Sequence, residues 1–215
     1  MRVALDVMGG DGAPGVNIEG ALLAAKEIEK GDAIYLVGPE EIVKNKLSEF
    51  KNASKFDNLE IIHAPEVIGM EEPPVEAIKK KRSSSIAVMA KMASKGEVDA
   101  IVSAGNTGAC VAASQLRMRN LPGVNRPGIA VVFPTKTGPH VVCDVGANVS
   151  CKPINIYQYA IMASVYSSQM LGIEKPRVGL LSIGEEESKG NEVTKKTRAL
   201  LRDDEDLNFI GNIEG

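Results

Sequence analysis

Four short stretches of this sequence combine glycine with side chains that hold or neutralise anions. They are Asp6-Val7-Met8-Gly9-Gly10-Asp11, Ser103-Ala104-Gly105-Asn106-Thr107-Gly108, Asp144-Val145-Gly146-Ala147-Asn148 and Gly184-Glu185-Glu186-Glu187-Ser188-Lys189-Gly190-Asn191. Glycine lets the backbone approach a ligand closely. A helix that starts after such a loop offers unpaired N–H groups and positive potential, which suits phosphate. The candidate phosphate- and substrate-binding residues are Gly9, Gly10, Asp11, Ser103, Gly105, Thr107, Gly108, Asp144 and Gly146. Asn106, Asn148 and Asn191 are candidate donors to a developing oxyanion, and Lys189 is the single cation within these loops. Asp6, Asp11 and Asp144 fit loop orientation better than phosphate contact, because carboxylates repel phosphate. The plain alternative is that all four are ordinary strand-to-helix turns, where Gly, Asn and Asp are expected anyway.

Other constellations carry less chemistry. Gly10-Asp11-Gly12-Ala13-Pro14-Gly15 matches the G-x-G-x-x-G dinucleotide pattern. Pro14 nevertheless removes an N–H that a pyrophosphate would use, and Val37-Gly38-Pro39 stands where a ribose-binding acid belongs. There is no G-x-x-x-x-G-K-[ST] and no G-x-S-x-G, and His63 and His140 are isolated, so a Ser-His-Asp triad lacks support. Cys110, early in a helix, is either a reactive thiolate or a small core residue. Glu185–Glu187 reads as a solvated acidic helix start rather than a metal site; no metal or cofactor is expected. Lys79-Lys80-Lys81-Arg82 is a solvated face or a surface for an acidic partner.

These loops need elements to hold them. Short apolar runs at Val3–Val7, Ala33–Val37, Leu59–His63, Ala100–Ser103, Ile129–Phe133, Val141–Val145, Arg177–Ile183 and Asn208–Gly211 read as strands. Helical spacing covers Val16–Glu29, Pro39 to about Phe50, Ser83–Ser94, Thr107–Met118, Pro153–Leu171 and Asn191–Arg202. Gly31, Gly96 and Gly172 supply the left-handed stops. Glu66–Pro74 reads as loop, because Pro73-Pro74 fits neither a helix interior nor a central strand. Strand-helix alternation predicts an α/β fold, a mostly parallel sheet with helices on both faces, as a single domain over residues 1–215. In such a sheet the C-terminal strand ends share one edge, where ligands bind. The chain stops at Ile213-Glu214-Gly215, right after a strand with no helix to cover it, which reads as a truncated protein.

Composition narrows the function classes. The 215 residues carry 25 Lys+Arg against 28 Asp+Glu, a net charge of −3, without the basic excess of a nucleic-acid binder. Aromatics are 4% and Trp is absent, which argues against stacking platforms for single strands. The three cysteines form no C-x-x-C pair and suggest a reducing, cytoplasmic setting. No window offers about 18 uncharged apolar residues for a membrane span.

The motifs resemble the phosphate acyltransferases of bacterial phospholipid synthesis, the PlsX-type family. The resemblance rests on the first loop with Ala13-Pro14, Asp99–Ala109, Asp144–Asn148, Gly179–Asn191 and Asn208–Gly215, and so covers essentially the whole chain. It implies transfer of an acyl chain from acyl carrier protein to inorganic phosphate, giving acyl phosphate. It implies a three-layer α/β/α fold like isocitrate and isopropylmalate dehydrogenases, and a homodimer. It also implies cytoplasmic work, peripherally associated with a membrane glycerol 3-phosphate acyltransferase. Family members often carry His or Asn where this chain has Gly12, and they continue beyond the position of Gly215. Two other readings stay open: a dinucleotide-dependent dehydrogenase on a related fold, and an inactive fragment that binds the carrier protein.

Overall fold

β1 (Arg2–Asp6) is the hub of the first sheet. It pairs in parallel with β2 (Ala33–Gly38) on one side and with β4 (Ala100–Val102) on the other. β3 (Leu59–His63) extends the sheet beyond β2, giving the order β3-β2-β1-β4. Because every pair is parallel, the loops that leave β1 and β4 emerge side by side at one edge. The computed structural model describes residues 1–51 and 53–215.

Successive strand residues face opposite sides of a sheet. Leu36 packs with Ile18, Leu22 and Val43, which belong to α1 (Gly15–Ala24) and α2 (Glu40–Ser48). Its neighbour Val37 packs with Met89 and Met92 of α4 (Ser85–Ser94). The sheet therefore carries helices on both faces, and its strands are apolar without alternation for that reason. α3 (Pro74–Lys80) and α5 (Thr107–Met118) join α4 in a further cluster, where Ala77, Ala87, Ala90, Ala109 and Ala113 pack with Ile68, Ile78 and Ile86.

The chain groups into two compact units, Met1–Arg119 and Asn120–Gly215. Strand pairing is the physical reason. In the second unit β5 (Ala130–Thr135) and β6 (Gly138–Cys143) form an antiparallel hairpin, and β7 (Arg177–Leu181) and β8 (Asn208–Ile213) form a separate parallel pair. α6 (Pro153–Leu171) and α7 (Glu192–Arg202) bury Tyr159, Thr197 and Leu201. Gly172 ends α6 at φ 68°, the left-handed stop expected of it.

Two helices depart from the sequence reading. α1 stops at Ala24, five residues before the expected Glu29, and the chain continues through i→i−3 bonds at Lys26 and Glu27. Pro74, read as loop, opens α3 instead; at the first helical position it has no needed N–H to lose. Among the described residues, no helix is long and apolar enough to cross a membrane.

Candidate functional site

The loops after β1 and β4 meet through one carboxylate. Asp6, at the end of β1, is 1% exposed. Its Oδ1 accepts the Met8 N–H at 3.0 Å, and its Oδ2 accepts the Ser103 hydroxyl at 2.8 Å. Ser103 Oγ in turn accepts the Gly105 N–H at 3.0 Å. A buried carboxylate is costly unless its oxygens are bonded, and here both are. The two backbones then touch. A Cβ on Gly9 would lie 2.5 Å from the Gly105 nitrogen and 2.7 Å from Asp6 Oδ2, so no side chain fits. Gly10 has φ +93°, a conformation suited to glycine.

Several donors are left over on this pair of loops. The backbone N–H groups of Gly9, Gly10, Asn106, Thr107 and Gly108 take no acceptor from the described residues. The last two open α5, where the first N–H groups of any helix lack internal partners. Asn106 caps that helix, its Oδ1 accepting from Ala109 at 3.0 Å. Its Nδ2 donates to the carbonyls of Gly69, Met70 and Glu72 at 3.2, 3.1 and 3.0 Å. Asn106 was expected to donate to an oxyanion; the structure engages its amide hydrogens within the protein, and it is 5% exposed. Its role here is to cap α5 and latch the 69–72 loop. Lys81 reinforces that loop, reaching Glu72 Oε1 at 2.6 Å and the Val67 carbonyl at 2.7 Å. The Lys81 bond and the Gly69 N–H hold the Glu72 carboxyl below its ordinary range.

In the second unit, Asp144 organises the third loop. Its Oδ1 accepts from Ile129 N–H at 2.8 Å and Ala147 N–H at 3.1 Å, and its Oδ2 from the Asn148 backbone at 2.9 Å and side chain at 3.1 Å. Burial alone would push this carboxyl up; the four donors outweigh it and hold it below the ordinary Asp value. Asn148 also donates to the Pro127 carbonyl at 2.9 Å, so this second expected oxyanion donor is engaged in holding its own loop. Gly146 has φ +105°.

The fourth loop leaves a free cation. Lys189 is exposed and has no ion-pair partner among the described residues. Its backbone N–H closes a turn onto Glu186 at 3.0 Å. Asn191 caps α7 with Oδ1, accepting from Thr194 N–H at 2.9 Å, and its Nδ2 has no acceptor among the described residues. Glu187 pairs with Arg202 at 3.3 Å.

The structure thus joins the first two expected loops within one unit, through Asp6, Ser103, Gly9 and Gly105. Asp11 lies exposed at the outer turn of the first loop, and Thr107 is exposed at the start of α5. The third and fourth loops are each built within the second unit. One positioning residue escaped the sequence reading: Asn17, whose Nδ2 donates to the carbonyls of Asp6, Val7 and Gly9 at 3.3, 3.1 and 2.7 Å. A signal for it existed, since Asn17 stands four residues before buried Ala21, on the inward face of α1. Cys110 and Cys143 are not activated thiols. Burial pushes the Cys110 thiol up, and burial with the neighbouring Asp144 charge pushes Cys143 to about 11. His63 accepts the Glu40 N–H at the start of α2, and His140 Nδ1 lies 3.0 Å from Thr135 Oγ1 in the exposed hairpin.

The chain is similar to known proteins along its whole length. A sequence model of the family described as "Fatty acid synthesis protein" matches residues 1–215. "Phosphate acyltransferase" of Citrifermentans bemidjiense is 47% identical over 215 residues, which are 100% of this chain and 60% of that protein. The protein of the same name from Salinibacter ruber is 48% identical over 214 residues, 100% of this chain and 63% of that one. The chain thus spans about three fifths of the length of these curated relatives. Among solved structures, the EutD phosphotransacetylase of Staphylococcus aureus superposes with a TM-score of 0.64 at 18% identity, covering 100% of this chain and 68% of that one. A branched-chain phosphotransacylase from Enterococcus faecalis gives 0.62 at 15% identity over 100% and 68%. These two likenesses speak to the fold alone. With a family match over every residue and close relatives that share one name, the chain belongs to the fatty acid synthesis protein family that includes the phosphate acyltransferases.

Proposed function

We propose that the protein transfers a fatty acyl chain from acyl carrier protein to inorganic phosphate, forming acyl phosphate for phospholipid synthesis. One observation carries this reading. Two glycine loops in backbone contact, pinned by Asp6 and Ser103, leave the N–H groups of Gly9, Gly10, Asn106, Thr107 and Gly108 without protein acceptors. Such donors suit a compact oxyanion. Family membership supplies the chemistry that uses one.

Phosphate is its own nucleophile. One of its oxygens attacks the thioester carbonyl, a C–O bond forms, the C–S bond breaks, and the carrier leaves as a fairly acidic thiol. No side-chain nucleophile is required, in keeping with the raised thiols of Cys110 and Cys143. The protein's tasks are positioning and charge stabilisation. The N–H groups of Gly9, Gly10, Thr107 and Gly108 are assigned to phosphate and Gly105 to the close backbone approach beside them, with Asp6, Ser103 and Asn17 holding the loops. Asp11, Asp144 and Gly146 are assigned to shaping their loops. Lys189 is assigned to offset charge on phosphate or the tetrahedral intermediate, and Asn191 remains a donor to the oxyanion.

The reading extends to a three-layer architecture like isocitrate and isopropylmalate dehydrogenases and to a homodimer in the cytoplasm. It also includes peripheral association with a membrane glycerol 3-phosphate acyltransferase. The motif resemblance supports these. The test is phosphate-dependent release of free carrier thiol from an acyl carrier protein thioester. Lys189→Ala is expected to lower turnover by about 10²-fold or more. Carrier binding without thiol release, or thiol release indifferent to phosphate, would overturn the proposal.

A further inference from the structure

We propose that the C-terminal end of α3 docks the acidic protein that carries the acyl thioester, through Lys79, Lys80 and Arg82. The inference rests on the acyl-transfer reading above and adds where the carrier lands.

The surface is cationic and available. Lys79 and Arg82 are exposed and form no ion pair among the described residues. Lys80 meets only Glu76, at 3.4 Å, with the two side chains 76% and 66% exposed. Exposed pairs of this kind contribute little, so a partner's carboxylate can take Glu76's place. Lys81 is different: it is drawn inward to Glu72 and the Val67 carbonyl and belongs to the loop latch. Val75, 54% exposed, precedes Lys79 by one helical step of four and shares its outward face, while Ala77 and Ile78 face the core. Met70, 53% exposed, lies on the latched loop that leads into α3. An apolar patch edged by charge is the usual make-up of a transient interface. Two acids near the patch form no ion pair among the described residues: Glu71, exposed on that loop, and Glu66, whose Oε2 accepts the Ser83 N–H at 2.8 Å.

Position selects the occupant. Pro74, at the start of α3, packs against Gly108 so closely that a Cβ there would lie 2.5 Å from Pro74 Cγ. Asn106 ties the 69–72 loop to the start of α5. The helix of seven residues is about 10 Å long, so its far end lies roughly one short helix from the anion-binding loops. A substrate tethered to its carrier demands docking within reach of the tether; a lipid surface makes no such demand. Lipid-binding basic segments also carry about 4–8 clustered cations, against the three that face outward here.

The test compares the full-length protein with its K79E/K80E/R82E variant on two donors, an acyl carrier protein thioester and the same acyl chain on a free pantetheine thiol. The expected result is a KM for the carrier raised about tenfold or more and most strongly at low salt, with kinetics on the free thioester within about twofold of wild type. K79Q/K80Q/R82Q, which removes charge without reversing it, is expected to give a smaller rise and guards against a folding defect. An unchanged carrier KM overturns the inference, and so does an equal loss on both donors. Loss of binding to vesicles of anionic phospholipid with carrier kinetics intact overturns it in favour of a lipid surface. Should wild type form no acyl phosphate, the acyl-transfer reading fails by itself. Carrier binding lost only in the variant would then still support the patch, and carrier binding equal in both would overturn it.

Discussion

Asp6 and Ser103 show how much can hang on one hydrogen bond. The serine hydroxyl gives its proton to the carboxylate and its lone pair to the Gly105 N–H, so a single oxygen joins two strand ends. Ser103→Ala leaves Asp6 Oδ2 and the Gly105 N–H without these partners in a site with almost no solvent. The expected cost is about 1–3 kcal/mol of stability, read from denaturant midpoints, together with weaker phosphate binding. Asp144 makes a separate prediction in acid. Its carboxyl is held below the ordinary Asp value, so it contributes stability that is present above about pH 4 and lost as pH falls through the lower folded-state value. Asp144→Asn is expected to lower the neutral-pH melting temperature and to flatten its pH dependence below that point; an unchanged profile would contradict the role given to the four N–H donors. At this scale the sequence identified residue types well and partners poorly. Asp6 and Ser103 lie 97 positions apart, and nothing local says that they meet. Asn106 and Asn148 have the chemistry of oxyanion donors, yet each finds carbonyl acceptors inside the fold, a competition that spacing cannot reveal.

Between residue and molecule stand the helix starts. α5 begins at a cap that also ties down the loop leading into α3, so one side chain positions two elements. Asn106→Ala removes a cap normally worth about 1 kcal/mol and frees three carbonyl contacts besides, so a loss of about 2 kcal/mol is expected. Faster hydrogen exchange confined to residues 69–80 and 107–110 would mark that mechanism; a uniform change across the chain would contradict it. Elements whose limits are set by local chemistry were legible in advance. α6 ends at Gly172 because a left-handed residue is needed there, and α5 starts at Thr107 because Asn106 can cap it. α3 was missed because two prolines read as a break, although the second is suited to open a helix. α1 was read too long because helical spacing continues past Ala24 while the hydrogen bonding tightens to i→i−3.

For the whole molecule, apolar strands alternating with helices were enough to foresee a parallel sheet covered on both faces, which the first unit has. The division at Arg119 was not foreseeable, because it depends on which strands pair, and β5 with β6 and β7 with β8 look no different in sequence from the strands before them. The family match covers both units, while the two glycine loops joined by Asp6 and Ser103 lie entirely in the first. The most direct measurement follows from that. In an amide-resolved NMR titration of the ¹⁵N-labelled 22.8 kDa chain with inorganic phosphate, the N–H signals of Gly9, Gly10, Asn106, Thr107 and Gly108 are expected to shift together and saturably. Ser103→Ala is expected to weaken that response. Signals of these five residues that stay still while phosphate binds elsewhere, or fail to saturate, would contradict the phosphate cradle on which the proposed acyl transfer depends.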